Sequence, residues 1–388
     1  MRNFLSYGPD SAPIPLRSLN LIIGPNGSGK SNLLEAIALM QSAPGQLSAP
    51  IREGGGVHDW LWKGSIQPPI ASLEITVDPL LIKVTNALRY RFNFTESGKR
   101  FEIVDECVEN AEAFKGKADP YFYYRYLNNH PVLNIKTEDQ KKSLQRTLRR
   151  EDVDPEKSIL AQRVDLDTYP EITRLAMKLS QIRIYRDWAF GRYTFPRLPQ
   201  GPDLDNTWPE DSGRNLALVL NRLRRNSETK AKILEKFRAI YAEAKDFDVM
   251  IERGGVQIFV QESRFNIPAI RLSDGTLRYL FLLAILYDPE PPPLICIDEP
   301  ELGLHPDLIN HIADALRFAG ENTQLIVTTH STALVDTFTD NPETILVCEK
   351  SDGCSNVQRL DAQQLKPWLE KYRLGELWTS GEIGGNRW

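Results

Sequence analysis

The stretch Leu21–Ile37, "LIIGPNGSGKSNLLEAI", decides the fold. Leu21, Ile22 and Ile23 form an unbroken apolar run, the texture of a short buried strand. Gly24 to Ser31 then fill the pattern G-x-x-x-x-G-K-[ST], with Asn26, Gly27, Ser28 and Gly29 leading to Lys30. Beyond Asn32, Leu33, Leu34, Ile37 and Ala38 recur at helical spacing. Strand, glycine loop and helix start, in that order, aim backbone N–H groups and the positive end of a helix dipole at an anion. A glycine-rich turn with an accidental lysine would lack both flanks. The stretch therefore reads as a phosphate-binding loop, with Lys30 for the β- and γ-phosphates and the Ser31 hydroxyl for Mg²⁺.

Working outward, the 388-residue chain is 41% apolar and 26% charged, an ordinary globular composition long enough for two or three domains. No run approaches the roughly 18–20 apolar residues of a membrane span. The N-terminus also lacks a signal peptide's hydrophobic segment. Cys107, Cys296, Cys348 and Cys354 form no C-x-x-C pair and no zinc spacing. The expected setting is reduced and cytoplasmic, with no membrane partner. A net charge of −5 excludes a uniformly basic nucleic-acid surface. Two local basic runs, Lys141, Lys142, Arg146, Arg149 and Arg150, then Arg222, Arg224 and Arg225, read first as solvated helix faces and second as nucleic-acid phosphate contacts.

Three β-like stretches follow the first helix, at Ala71–Val77, Leu88–Phe94 and Phe101–Val108, the last two joined by a Ser97-Gly98 turn. From 109 to 180 charges become frequent, and the texture predicts a mainly helical insertion. Its cluster of Tyr121, Phe122, Tyr123, Tyr124 and Tyr126 reads as insertion core ahead of a base-stacking platform. Strand texture returns at Gln181–Trp188. Helical patterns then run through Leu216–Leu223 and Ile233–Ala244, and Val256–Val260 alternates as a strand. Apolar strands at Leu294–Ile297, Leu325–Val327 and Ile345–Val347, separated by helices, give the remainder an α/β character. No internal repeat and no sustained heptad is present.

Three further motifs carry chemistry. In "PLICIDEPELGLHP" (Pro293–Pro306) Asp298 and Glu299 emerge at the C-terminal end of a buried strand, where open α/β sheets place ligands. An acidic pair there can simply cap a helix. Beside a phosphate loop it reads instead as a Mg²⁺ ligand, Asp298, and a general base for water, Glu299. "QLIVTTHST" (Gln324–Thr332) ends a second apolar strand at His330, placing that histidine within reach of a γ-phosphate. In "RLSDGTLRYLFLLAIL" (Arg271–Leu286), Ser273, Asp274 and Gly275 precede an apolar helix, an N-capped start and a second anion site.

Together these motifs resemble the nucleotide-binding heads of ABC-type ATPases, in the RecF, SMC and OLD-like branch. "GPNGSGKSN" is similar to Walker A, "LSDGTLR" to the signature, "LICIDEPELGLHP" to Walker B with its D-loop, and "IVTTHS" to the switch histidine. The segments "GRNLALVLNRLR" (Gly213–Arg224) and "LGELWTSGEIGGNRW" (Leu374–Trp388) resemble a bacterial family of predicted RecF-like ATPases of unassigned role. The resemblance implies a P-loop NTPase fold, an α/β head with an antiparallel β subdomain and a helical insertion. It divides the chain into 1–108 (Walker A and β subdomain), the insertion 109–180, and 181–388 (signature, Walker B and switch histidine).

It also implies an ATPase needing ATP and Mg²⁺. Asn26, Gly27, Ser28, Gly29, Lys30, Ser31 and Asn32 would hold nucleotide, Ser31 and Asp298 the metal, and Lys30, Glu299 and His330 would carry catalysis. Ser273, Asp274 and Gly275 would close on the nucleotide of a second copy, making a homodimer or higher homo-oligomer with composite sites and Leu302–Leu304 as the D-loop between them. The Ser-Asp-Gly signature and "ELGLHP" depart from the transporter pattern, which disfavours a transporter subunit. No glutamine is assigned to the Q-loop, and Phe4–Gly8 must supply the first strand, with Phe4 or Tyr7 as an adenine contact. DNA is one expected partner, in repair, chromosome maintenance or anti-phage defence. The alternative is a switch controlling a separate effector, a nuclease or toxin. Only 58 residues follow His330, too few for a Toprim nuclease domain beside the remaining head elements.

Overall fold

The computed structural model describes every residue except 66–68, 128–129, 137–142, 253 and 386–388; Lys141 and Lys142 of the first basic run lie outside the described residues. Among the described residues the first strands are β1 (Leu19–Ile23), β2 (Ala71–Val77), β3 (Leu88–Ser97), β4 (Arg100–Asn110), β5 (Phe122–Leu127), β6 (His130–Lys136) and β7 (Ser143–Thr147). Then come β8 (Arg183–Tyr185), β9 (Ala244–Glu252), β10 (Gly255–Glu262), β11 (Phe265–Pro268), β12 (Leu294–Asp298), β13 (Gln324–Thr328), β14 (Ile345–Ser351) and β15 (Cys354–Arg359). The chain forms two units. One comprises Met1–Ile14, Asn26–Ile182 and Cys348–Val357; the other comprises Pro15–Pro25, Arg183–Val347 and Gln358–Trp388.

In the first unit β2 to β7 make one antiparallel meander in sequence order. Period-two patterning drives it. Leu88, Tyr90, Phe92 and Phe94 of β3 are buried, while the alternating Arg89, Arg91 and Asn93 stay half-exposed. β4 runs unbroken through residue 108 and pairs with β5. The expectation of a mainly helical 109–180 is therefore corrected: β5, β6 and β7 continue the sheet, and among the described residues helix is limited to Ile159–Gln162, Pro170–Ser180 and a 3-10 turn at Arg150–Asp152. Aromatic residues favour a pleated surface, and Phe122, Tyr123 and Tyr124 are buried in β5, as core and not as an exposed stacking platform. The frequent charges of this region give a strand's open face the look of a helix surface. Phe4–Gly8 gives isolated bridges in place of a first strand, because Asn3 and Leu5 take left-handed φ values of 51° and 50°.

The second unit carries the parallel sheet. β1 lies between β13 and β14, and β12 lies between β13 and β8, all parallel. Leu21–Ile23, Ile295–Ile297 and Leu325–Val327 are fully buried, as continuous apolar strands covered on both faces must be. The helix Asp274–Leu286 is buried from Leu277 onward and forms the centre of this unit's core. The helix expected through Ala244 stops at Phe237. Arg238 donates to the carbonyls of Ala244 and Lys245, and Ala244 opens β9 instead. In the second basic run Arg222 is tied to Asp288 and the Asn206 carbonyl, and Arg224 to Asp248, so both are spent on internal pairs.

Candidate functional site

Backbone geometry builds the phosphate loop. Gly27 and Gly29 hold φ values of 77° and 115°. At Gly29 a β-carbon would stand 2.3 Å from Ser355 Oγ and 2.9 Å from Ser6 Oγ, so both space and conformation require glycine. Side chains draw the loop carbonyls back. The Tyr7 hydroxyl donates to the Gly29 carbonyl at 3.1 Å, the Cys348 thiol to the Ser28 carbonyl at 3.3 Å, and the Ser355 hydroxyl to the same Ser28 oxygen. Asn32 Nδ2 donates to Ser6 Oγ at 2.6 Å. Tyr7 is therefore a buried brace of the loop, not an adenine platform, and Phe4 is equally buried.

The helix Lys30–Ser42 begins with no side-chain cap and no acidic residue in its first turn. Its first N–H groups are the kind that a helix start leaves without an intrahelical partner. The Ser28 hydroxyl is buried without a hydrogen-bond partner, and Lys30 is itself buried. A phosphate suits the uncapped helix start and the Ser28 hydroxyl, since it accepts from N–H groups and from a hydroxyl. The residues present fit a nucleotide phosphate.

The acidic motif lies wholly in the second unit. Ile22, Thr328 and Asp298 fall on one row across β1, β13 and β12, so the strand ends leading to Gly24, His330 and Glu299 share one sheet edge. The Thr328 hydroxyl donates to the Asp298 carboxylate, and the Trp188 indole N–H donates to the Asp298 carbonyl at 2.6 Å. Glu299 follows with φ 49°, a left-handed conformation that a non-glycine residue holds only when its surroundings enforce it. Its N–H donates to the Thr328 carbonyl at 3.0 Å, and its own carbonyl accepts from Arg278 at 2.9 Å. That turn sets the Glu299 carboxylate 3.6 Å from His330 Nε2, with both side chains partly exposed.

Beneath them the Glu301 carboxylate accepts from the Thr329 hydroxyl and from the His330 N–H, and burial raises its pKa. The Arg278 guanidinium stacks 4.5 Å over Trp188. Burial lowers its pKa to about 10, opposed by Glu301 and Glu299, so it remains a cation at neutral pH.

Ser273 caps the helix Asp274–Leu286 by accepting from the Thr276 N–H at 3.1 Å. Ser273 and Asp274 are exposed, and a β-carbon on Gly275 would stand 3.3 Å from the Gly303 carbonyl of the Leu302–Leu304 loop. Arg197, almost fully buried, donates to the carbonyls of Phe190, Ala269 and Leu272 and pairs with Asp274. It thereby fixes the loop that enters the cap. The sheet edge gathers Asp298, Glu299 and His330, while Ser273–Gly275 stand at a separate helix start and Asn26–Asn32 belong to the first unit. Sequence reading missed Trp188, Arg197, Arg278, Glu301, Thr328 and Thr329.

The fold and these motifs define the class, a P-loop head of the ABC-type ATPases in their RecF/SMC-like branch. Within it the chain belongs to the family described as "AAA domain, putative AbiEii toxin, Type IV TA system", whose profile matches residues 19–336. The chain is 31% identical over 113 residues, 26% of its length, to the chromosome partition protein Smc of Mycobacterium tuberculosis. It is 29% identical over 120 residues to structural maintenance of chromosomes protein 1 of Arabidopsis thaliana. The matches span 9% of each of these relatives. Among solved structures, an Smc head bound to the C-winged helix domain of ScpA superposes with a TM-score of 0.60 at 17% identity, over 94% of this chain and 97% of that one. An Smc head with an extended coiled coil, bound to the C-terminal domain of ScpA derived from Pyrococcus furiosus, gives 0.50 at 17% identity, over 95% and 97%. At that identity the likeness concerns the fold. Among the described residues no helix is long and apolar enough to cross a membrane.

Proposed function

We propose that this chain binds ATP with Mg²⁺ and hydrolyses it, and that ATP closes two heads into a dimer that gates a DNA-related process. One observation carries the reading: a phosphate loop with an uncapped helix start and a buried, unpartnered Ser28 hydroxyl, continuous in sequence with a sheet whose edge bears Asp298, Glu299 and His330. Lys30 neutralises phosphate charge, the loop N–H groups orient the terminal phosphoryl, and Glu299 takes a proton from water, with His330 beside it to hold the γ-phosphate. Ser31 and Asp298 would hold Mg²⁺, which supplies further charge at the phosphates.

Equilibrium binding and phosphate release test the site. Lys30→Ala should abolish turnover and weaken ATP binding, because the phosphates lose their main point charge. Turnover at the wild-type rate in the folded variant would remove the assignment.

A second reading, a switch that restrains a separate effector chain, is supported by the toxin–antitoxin description of the family. The DNA reading is supported by the chromosome-related relatives and by exposed Arg146 and Arg149. Purification with native partners separates the two. A co-purifying enzyme favours the switch, and ATPase activity stimulated by DNA alone, falling steeply with salt, favours DNA.

A further inference from the structure

The segment "LGELWTSGEIGG" (Leu374–Gly385) has no part in the site as described, yet it returns to the sheet edge from which the phosphate loop departs. Its helix, Leu374–Ser380, ends on Gly381 at φ 86°, and Gly384 and Gly385 follow at 75° and 73°. These left-handed turns bring the chain back onto Trp378, which is buried and donates its indole N–H to the Gly385 carbonyl at 2.9 Å. A β-carbon added to Gly385 would stand 2.9 Å from Val347 Cγ1, 3.3 Å from Trp378 Nε1 and 3.5 Å from the α-carbon of Gly24. Val347 pairs with Ile23, the last residue of β1. The turn therefore lies on the ends of β1 and β14, against the first glycine of the phosphate loop.

The other end of the segment meets the chain just after His330. The Gly375 N–H donates to Asp336 Oδ1 at 2.6 Å, and a β-carbon there would stand 2.6 Å from the Thr332 carbonyl. Thr332–Asp336 is the helix that follows His330 and Ser331. One short segment thus touches both the residue that launches the phosphate loop and the helix next to the switch histidine, all within the second unit.

We propose that Leu374–Gly385 is a positioning element of the nucleotide site, in which Trp378 and Gly385 fix the backbone of Gly24 and so the direction in which the loop N–H groups point. The proposal rests on the ATP reading above. Neither side chain touches phosphate. Their effect passes through Gly24, where a small displacement is carried into the loop, and sub-ångström placement is what such sites depend on.

Trp378→Phe removes the donor and keeps an aromatic ring. Gly385→Val puts a branched side chain where the backbone is left-handed and the space is filled. The test is titration of the full chain with a non-hydrolysable ATP analogue and Mg²⁺, beside hydrogen exchange of the peptide covering Gly24–Ser31 and thermal melting without nucleotide. Trp378→Phe should weaken the analogue about fivefold and speed exchange in that peptide more than in the rest of the chain, whatever fall in melting point its lost internal hydrogen bond brings. Gly385→Val should weaken it by about tenfold or more through its clash. Wild-type affinity in both variants, with any change confined to melting, would make the segment a stability brace and overturn the proposal. If the wild-type chain itself bound no analogue, the ATP reading would fall first and this inference with it.

Discussion

Glu299 shows what one residue must sacrifice to be placed. Its φ of 49° is costly for a side chain with a β-carbon, by about 1–3 kcal/mol. Two donors hold it there: Arg278 on its own carbonyl, and Trp188 on the carbonyl of Asp298. A helix cap would need no such turn; in the proposed site it turns the carboxylate toward the attacking water. Glu299→Gln keeps the shape but cannot take a proton from water. It should bind ATP as the wild type does, lose about 10²–10⁴ in turnover, and hold the ATP-closed assembly, seen as persistent light scattering. Turnover at the wild-type rate would exclude Glu299 as the base. At this scale Lys30, Asp298, Glu299 and His330 could be proposed from the sequence because local chain order sets their types and spacing. The motifs could not name Arg278 or Glu301, whose roles come from packing between distant segments. Arg278 in particular reads as one polar residue in an apolar helix.

Among elements, the parallel strands were legible because burial on both faces leaves an uninterrupted apolar run. β5 to β7 were not, since a strand with charged residues on its open face resembles a polar helix when read without its pairing partner. The sheet they extend contains a buried carboxyl that gives it a pH dependence. Glu106 on β4 accepts from the Tyr90 hydroxyl at 2.9 Å, the Ser158 hydroxyl at 2.5 Å and the Ile159 N–H at 2.9 Å. Burial outweighs those bonds and raises its pKa from 4.5 to about 7. A raised carboxyl binds its proton more tightly in the folded state than in the unfolded one. Its contribution to stability is therefore full below pH 4.5 and is lost as pH rises through about 7. The shift corresponds to about 3 kcal/mol over that window. Urea unfolding between pH 5 and 8 should show stability of this sheet falling as pH rises, and Glu106→Gln, which cannot titrate, should flatten that slope. An unchanged slope in the variant would assign the dependence to other groups.

For the whole molecule, the arrangement of Ser273 raises a question that one chain cannot answer alone. Ser273 and Asp274 are exposed at the start of the helix Asp274–Leu286, and Arg197 anchors the loop that leads into them. A cap held so firmly, with its polar tip facing outward, suits a surface that meets an anion from elsewhere. In the proposed dimer that anion is the γ-phosphate on a second copy. Ser273→Arg would then leave ATP bound to the variant's own loop but stop closure at the one composite site that its helix start enters, since its bulk and lost cap fall there. Lys30→Ala fails for the opposite reason, in its own loop. Each variant alone should be inactive. Mixed, they form a heterodimer in which one composite site holds wild-type Lys30 and wild-type Ser273, so phosphate release should partly recover, up to about half the wild-type rate per heterodimer if one site fires independently. If each chain completes its own site, mixing restores nothing, because every chain in the mixture is defective. Heterodimer formation, followed by light scattering, must be measured in the same samples. Full activity of Ser273→Arg alone at high dilution would remove the shared site altogether, because the substitution would then touch nothing that hydrolysis requires.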